Sequence, residues 1–183
     1  AETNSEITVY LPRLQVLITS LHINQPGEQL DIWLMHSGIP EEALAPVSRQ
    51  CQAFGFGFHP VEIDGSAFTD APVSSQYPRE MYYRLLSGQF LPERLHRILY
   101  LDPDILVINS LRPLWETDMQ GHLFAAAAHT GKTELANNIN QLRLGTDHNY
   151  YNSGVLLIDL DRARQEIRAE ELFEYVREHG KEL

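Results

Sequence analysis

The chain has 183 residues, 43% of them hydrophobic and 21% charged, which is enough for one domain with a real core and ordinary for a globular protein. The 14 Lys plus Arg stand against 25 Asp plus Glu, and the net charge of −11 argues against a nucleic-acid partner, whose phosphates need a basic face. No apolar run reaches the ~18 residues of a membrane span, AETNSEITVY lacks the basic start and apolar block of a signal peptide, and one cysteine, Cys51, cannot pair internally, so a reducing, cytoplasmic setting is expected.

In chain order, LPRLQVLITSLHIN has apolar residues at 11, 14, 17, 18 and 21, the spacing of a helix, with Pro12 tolerated in a first turn. QLDIWLMH predicts a strand. IPEEALAPVSRQCQAF opens with Pro40 and two glutamates, a helix start that Pro46 threatens to interrupt. GFGFHPVEID predicts a strand after a glycine turn, DAPVSSQYP a loop and REMYYRLLSGQF a helix. RILYL and ILVI are β-rich, LFAAAAH reads as a short buried strand, and GKTELANNINQLRLG as a helix with loops. GVLLIDL predicts a buried strand, and DRARQEIRAEELFEYVREHGKEL a charged surface helix stopping near Gly180. This alternation implies an α/β fold with a mostly parallel central sheet flanked by helices, in one domain over residues 1–183.

RILYL and ILVI flank Asp102-Pro103-Asp104 closely, which places two like charges at the edge of a core. A bare Asp-x-Asp is most simply a turn, since Asp and Pro both favour turns. Here the context adds two costs, because charges at a core edge are expensive and two carboxylates so close repel. A divalent cation relieves both, and carboxylate oxygens suit hard ions such as Mg²⁺ or Mn²⁺. Such an ion also lets an acidic protein accept a diphosphate. Sites in α/β sheets lie beyond the carboxyl ends of strands, where RILYL places Asp102.

The ordered set YYRL, LYLDPDILV, L-x-PLW and YYNSGVLLIDL resembles family 8 glycosyltransferases, retaining enzymes of GT-A fold, over about residues 77 to 162. The resemblance implies that Asp102 and Asp104 form a metal-binding D-x-D that holds Mn²⁺ (or Mg²⁺) and, through it, the diphosphate of a UDP-sugar. It further implies that Arg84 contacts the donor, that Pro103 lies within the donor-binding stretch, and that Asn152 lines the donor-sugar pocket. An amide hydrogen-bonds sugar hydroxyls without adding charge. The implied reaction is transfer of glucose or galactose to a glycan, lipopolysaccharide or protein acceptor, with retention at the anomeric carbon. No nucleophile is assigned.

Two departures from the family pattern stand out. Ile7 and Val9 occupy the positions of a D-x-N-Y-like nucleotide-binding element, and the chain ends at Leu183 before the family's D-Q-D and H-x-x-G-x-x-K-P-W stretches. A chain truncated before its C-terminal motifs, lacking the metal-binding histidine and diphosphate-binding lysine, is therefore expected. Two rival functions follow. One is a non-catalytic nucleotide-sugar binder. The other is a haloacid-dehalogenase-type phosphatase, whose D-x-D normally lies near the N-terminus. The histidines lack zinc spacing; His129 and the tyrosines 150 and 151 are weaker site candidates. Trp33 and Trp115 are expected in the core, as is Cys51 as a small buried hydrophobe.

Overall fold

The computed structural model describes residues 9–73, 79–128 and 151–180, which sort into two compact units. The first comprises residues 1–69 and 102–117, the second residues 70–101 and 118–183.

In the first unit, α1 (Leu11–Asn24) begins with Pro12 in its first turn, where no N–H is needed, and buries Leu11, Leu14, Leu17, Ile18 and Leu21. Strand β1 (Asp31–His36) follows, then α2 (Glu41–Phe54) and β2 (Gly57–Glu62), which pairs with β1 in parallel. The crossover through α2 enforces that parallel direction, since two strands joined by a helix start at the same edge. Pro46 does not interrupt α2: it lies on the exposed face, where the carbonyl left without its N–H is open to solvent, while Leu44, Val47 and Cys51 face inward. Gly55, at φ 75°, ends the helix by donating to the Gln52 carbonyl at 3.1 Å while Phe56 donates to Cys51 at 2.9 Å, a close that a left-handed glycine makes without strain. Burial pushes the Cys51 thiol up to about 11, so it packs as an inert hydrophobe, as its place in the helix predicts. A 3₁₀ turn (Gly65–Phe68), capped by the Asp64 carboxylate accepting from Ser66, inserts Phe68 into the same core.

The second unit begins its described part with α3 (Glu80–Leu85) and α4 (Ser87–Phe90), two short helices where REMYYRLLSGQF predicts one. The break at Leu86 lets Ser87 and Gly88 pack tightly on α6 (Leu160–Glu166): a Cβ on Gly88 would sit 3.3 Å from that of Ala163. Strand β3 (Arg97–Leu101), β4 (Phe124–Ala128) and β5 (Tyr151–Asp159) form a sheet in the order β3-β5-β4, with β5 antiparallel to both neighbours. The α/β class follows the predicted alternation. Among the described residues, however, parallel pairing is confined to β1–β2, where the α2 crossover joins the two strands.

Leu156, Leu157 and Ile158 are buried without a gap, as a central strand requires. Arg164 of α6 spans three backbone carbonyls, those of Gly88 (3.1 Å), Pro92 (2.9 Å) and Leu95 (3.0 Å), which ties the connection between α4 and β3. The predicted C-terminal helix is two, α6 and α7 (Ala169–His179), separated at Ile167, whose ψ of 122° is extended. At about 100° per residue, the mean directions of the pairs Leu160–Ala163 and Phe173–Val176 on one straight helix would differ by about 140°; in the broken helix all four are buried. The predicted GKTELANNINQLRLG element lies outside the described residues.

His36 ends β1 in a buried position, its Nδ1 accepting from the Ile39 N–H at 3.3 Å. Burial lowers its pKa, against the weaker opposing pull of Glu62. A histidine kept neutral by the fold leaves the unfolded chain binding more protons once pH drops below about 6.5, its ordinary value. Stability is therefore expected to fall as pH drops through that range. His36→Asn, which preserves an acceptor for Ile39, is expected to flatten this acid limb in urea unfolding at pH 7.5 and 5.5.

Candidate functional site

Asp102-Pro103-Asp104-Ile105 is a β-turn: the Ile105 N–H donates to the Asp102 carbonyl at 3.1 Å. Proline at the second position presets the φ the turn needs, and aspartate at the first suits turn initiation. The turn and metal-site readings of this tripeptide are thus compatible, since a turn is what brings carboxylates two residues apart to one bend. Asp102 is half-buried, and the Asp104 side chain is 56% exposed. Asp104 Oδ2 lies 3.5 Å from Nη1 of Arg13, a side chain 51% exposed in the first turn of α1. A cation there opposes the helix dipole, and the carboxylate offsets that charge.

The chain after the turn departs from its predicted form. ILVI, residues 105–108, is β-rich in composition yet joins neither sheet. Its backbone is served by side chains of α1 and the residue after it. The Val107 N–H donates to Ser20 Oγ at 3.0 Å, and its carbonyl accepts from Asn24 Nδ2 at 2.9 Å. Gln25 Nε2 donates to the Asn109 carbonyl at 2.9 Å, and its Oε1 accepts from the Leu111 N–H at 2.8 Å. Ser20 and Gln25 are 5% and 4% exposed; the bond from the Val107 amide to Ser20 is buried, and stranding that amide would cost about 1–3 kcal/mol. Val107 points inward, while Leu106 and Ile108 are exposed. The helix α5 (Arg112–Trp115) follows, its Arg112 guanidinium hydrogen-bonded to Glu28.

Arg84 and Asn152 belong to the second unit. Arg84, in the last turn of α3, donates from Nη1 to the Ser153 carbonyl at 2.8 Å and stacks over the Tyr100 ring at 5.1 Å. Its planar fork is therefore engaged with β5 and β3 and holds the backbone beside Asn152. Asn152 Oδ1 accepts from the Gly154 N–H at 2.7 Å, which fixes the amide and directs its chemistry to its N–H donors. Tyr151 is exposed. Residue 150 and His129 lie outside the described residues. Trp115 is 45% exposed, contrary to its expected place in the core, because α5 is one turn long and buries no residue. Trp33 is only partly buried and stacks on His59 at 4.2 Å between ring centroids. Neither Arg13 nor the Ser20, Asn24 and Gln25 set carries a sequence signal, since each is an ordinary helix-surface or helix-end residue until the fold brings residues 104–111 alongside.

The family model of glycosyl transferase family 8 matches residues 7–183. The chain belongs to glycosyl transferase family 8. It is 26% identical over 175 residues to general stress protein A of Bacillus subtilis strain 168, covering 94% of this chain and 60% of that protein. It is 26% identical over 156 residues to a lipopolysaccharide 1,2-glucosyltransferase of Escherichia coli K12, covering 84% and 45%. Its structure is similar to that of the galactosyltransferase LgtC in complex with donor and acceptor sugar analogues, with a TM-score of 0.81 and 25% identity over 95% of this chain and 63% of that one. The fold is the GT-A fold of that neighbour, and the chain spans under two thirds of the length of these relatives.

Membership of family 8 implies a divalent cation. The two carboxylates of the turn are hard oxygen donors of the kind Mn²⁺ and Mg²⁺ take, so they fit such an ion in type. Among the described residues no third His, Cys, Asp or Glu joins them in a cluster. Arg13 is a weak competitor, because a largely exposed pair contributes only about 0–1 kcal/mol. Arg13→Gln is accordingly expected to change the unfolding free energy by less than about 1 kcal/mol, with any loss vanishing in high salt; urea titrations at low and high ionic strength check this.

Proposed function

We propose that the protein of which this chain is part or whole is a hexosyltransferase that moves glucose or galactose from a UDP-sugar to a glycan, lipopolysaccharide or protein acceptor, dependent on Mn²⁺ (or Mg²⁺) and with retention at the anomeric carbon. The single observation that carries the reading is the aspartate turn at the carboxyl end of β3 in a family 8 chain. The galactosyl and glucosyl activities named for two similar proteins support a hexose donor and a saccharide acceptor. Family membership also sets aside the phosphatase alternative, which needs a different fold context for its D-x-D.

In this proposal Asp102 and Asp104 hold the cation and, with Pro103, shape the donor-binding turn. Such an ion would supply positive charge to the leaving diphosphate, an electrostatic contribution that is usually a large part of such catalysis. The turn's own hydrogen bond, from the Ile105 N–H to the Asp102 carbonyl, keeps the two aspartates on one bend. Asn152 donates amide N–H groups to hydroxyls of the donor sugar. Arg84 adds positive charge on the donor side and, through the Ser153 carbonyl, holds the strand that carries Asn152. A second reading, a nucleotide-sugar binder without turnover, is favoured by one observation: two carboxylates without a third clustered ligand among the described residues hold a cation weakly.

Calorimetry with UDP-glucose and UDP-galactose, with and without Mn²⁺, tests both readings. Mn²⁺-dependent binding with release of UDP supports the transferase, binding without release supports the binder, and equal affinity with and without Mn²⁺ removes both. Asp104→Asn is expected to abolish the Mn²⁺-dependent part of UDP binding while leaving the circular dichroism spectrum unchanged.

A further inference from the structure

We infer that Ser20, Asn24 and Gln25 are positioning residues for the aspartate turn, a step that rests on the function proposed above. The three side chains stand at the C-terminal end of α1 and just after it, and together they take four backbone groups of residues 107–111: the amide and carbonyl of Val107, the carbonyl of Asn109 and the amide of Leu111. Ser20 Oγ also donates to Leu17 at 2.7 Å, and Asn24 Nδ2 to Ser20 at 3.0 Å, so each is anchored in its own helix and presents a fixed partner. Gln25 caps that helix, its N–H donating to Leu21 at 2.9 Å.

The consequence for the turn follows from chain geometry. Only Ile105 and Leu106 separate Asp104 from the first clamped residue, and each has just two soft backbone dihedrals. Fixing Val107 therefore restricts where the Asp104 carboxylate stands. With the hydrogen bond from Ile105 to Asp102 intact, it restricts Asp102 as well. A cation bound by few carboxylates depends strongly on their preorganisation, since no surplus ligands compensate a misplaced one. The sequence hides this device because the segment it holds is strand-like in composition.

The test uses the full-length protein with three substitutions: Gln25→Ala, Gln25→Glu, which keeps an acceptor for Leu111 but cannot donate to Asn109, and Ser20→Ala. Val47→Ala, a buried change on α2, serves as a control for loss of stability alone. Hydrogen exchange reports the amides of residues 105–111, and calorimetry reports Mn²⁺ affinity at fixed UDP. Gln25→Ala is expected to expose the Leu111 amide to exchange and to weaken Mn²⁺ binding by about tenfold, the lower end of what supporting residues contribute to metal sites. Gln25→Glu is expected to lie between it and wild type, and Ser20→Ala to release the Val107 amide in the same way, so the result stands even if one variant fails to fold. Faster exchange with unchanged Mn²⁺ affinity overturns the inference. So does an equal loss of affinity in Val47→Ala at matched stability, which would make the effect one of general loosening. Wild-type protein without Mn²⁺-dependent UDP binding removes the functional reading itself and this inference with it, a result separable from the others because every variant then behaves alike.

Discussion

A backbone segment that leaves a sheet must still place its N–H and C=O groups, and four of those in residues 107–111 go to side chains at the end of one helix. The Val107 amide is buried with its Ser20 partner, and a buried amide without a partner costs more than the bond itself gains, so the segment is held stringently at that point. The aspartate turn inherits that stringency. The same α1 that buries five apolar side chains on one face thus also holds, with its polar end and the Gln25 cap after it, the stretch of chain that follows the aspartate turn.

Electrostatics of the site follow from scarcity of positive charge. With a net charge of −11, the chain commits its arginines carefully. Arg164 is spent on three backbone carbonyls and Arg84 on the Ser153 carbonyl and the Tyr100 ring, both inside the second unit. Arg84 is therefore a brace for the strand bearing Asn152. Arg13 faces Asp104 across an exposed and weak contact, the kind that a stronger cation displaces at little cost.

Much of the fold is legible in local pattern. The boundaries of α1 follow its apolar spacing and Pro12, β1 and β3 follow their β-rich runs, and Gly55 marks the close of α2. The readings that differ share one cause, since each depends on which face a distant element covers. REMYYRLLSGQF divides at Leu86, where Gly88 approaches Ala163, and the C-terminal helix divides at Ile167, so that two apolar pairs on divergent faces of one straight helix are both buried. ILVI has the composition of a strand, yet side chains of α1 supply the hydrogen bonds of Val107 where a neighbouring strand would.

By itself the sequence determined the α/β class, the aspartate pair at the end of RILYL and the family likeness, because these rest on residues adjacent in the chain and on periodicities that short stretches carry. Tertiary structure alone decided that Arg13 stands beside Asp104, that Arg84 grips Ser153, and that Ser20, Asn24 and Gln25 bind residues 107–111. Contacts between residues so far apart are paid for in loop-closure entropy and granted only by the packed core that brings them together, and no local propensity records that outcome.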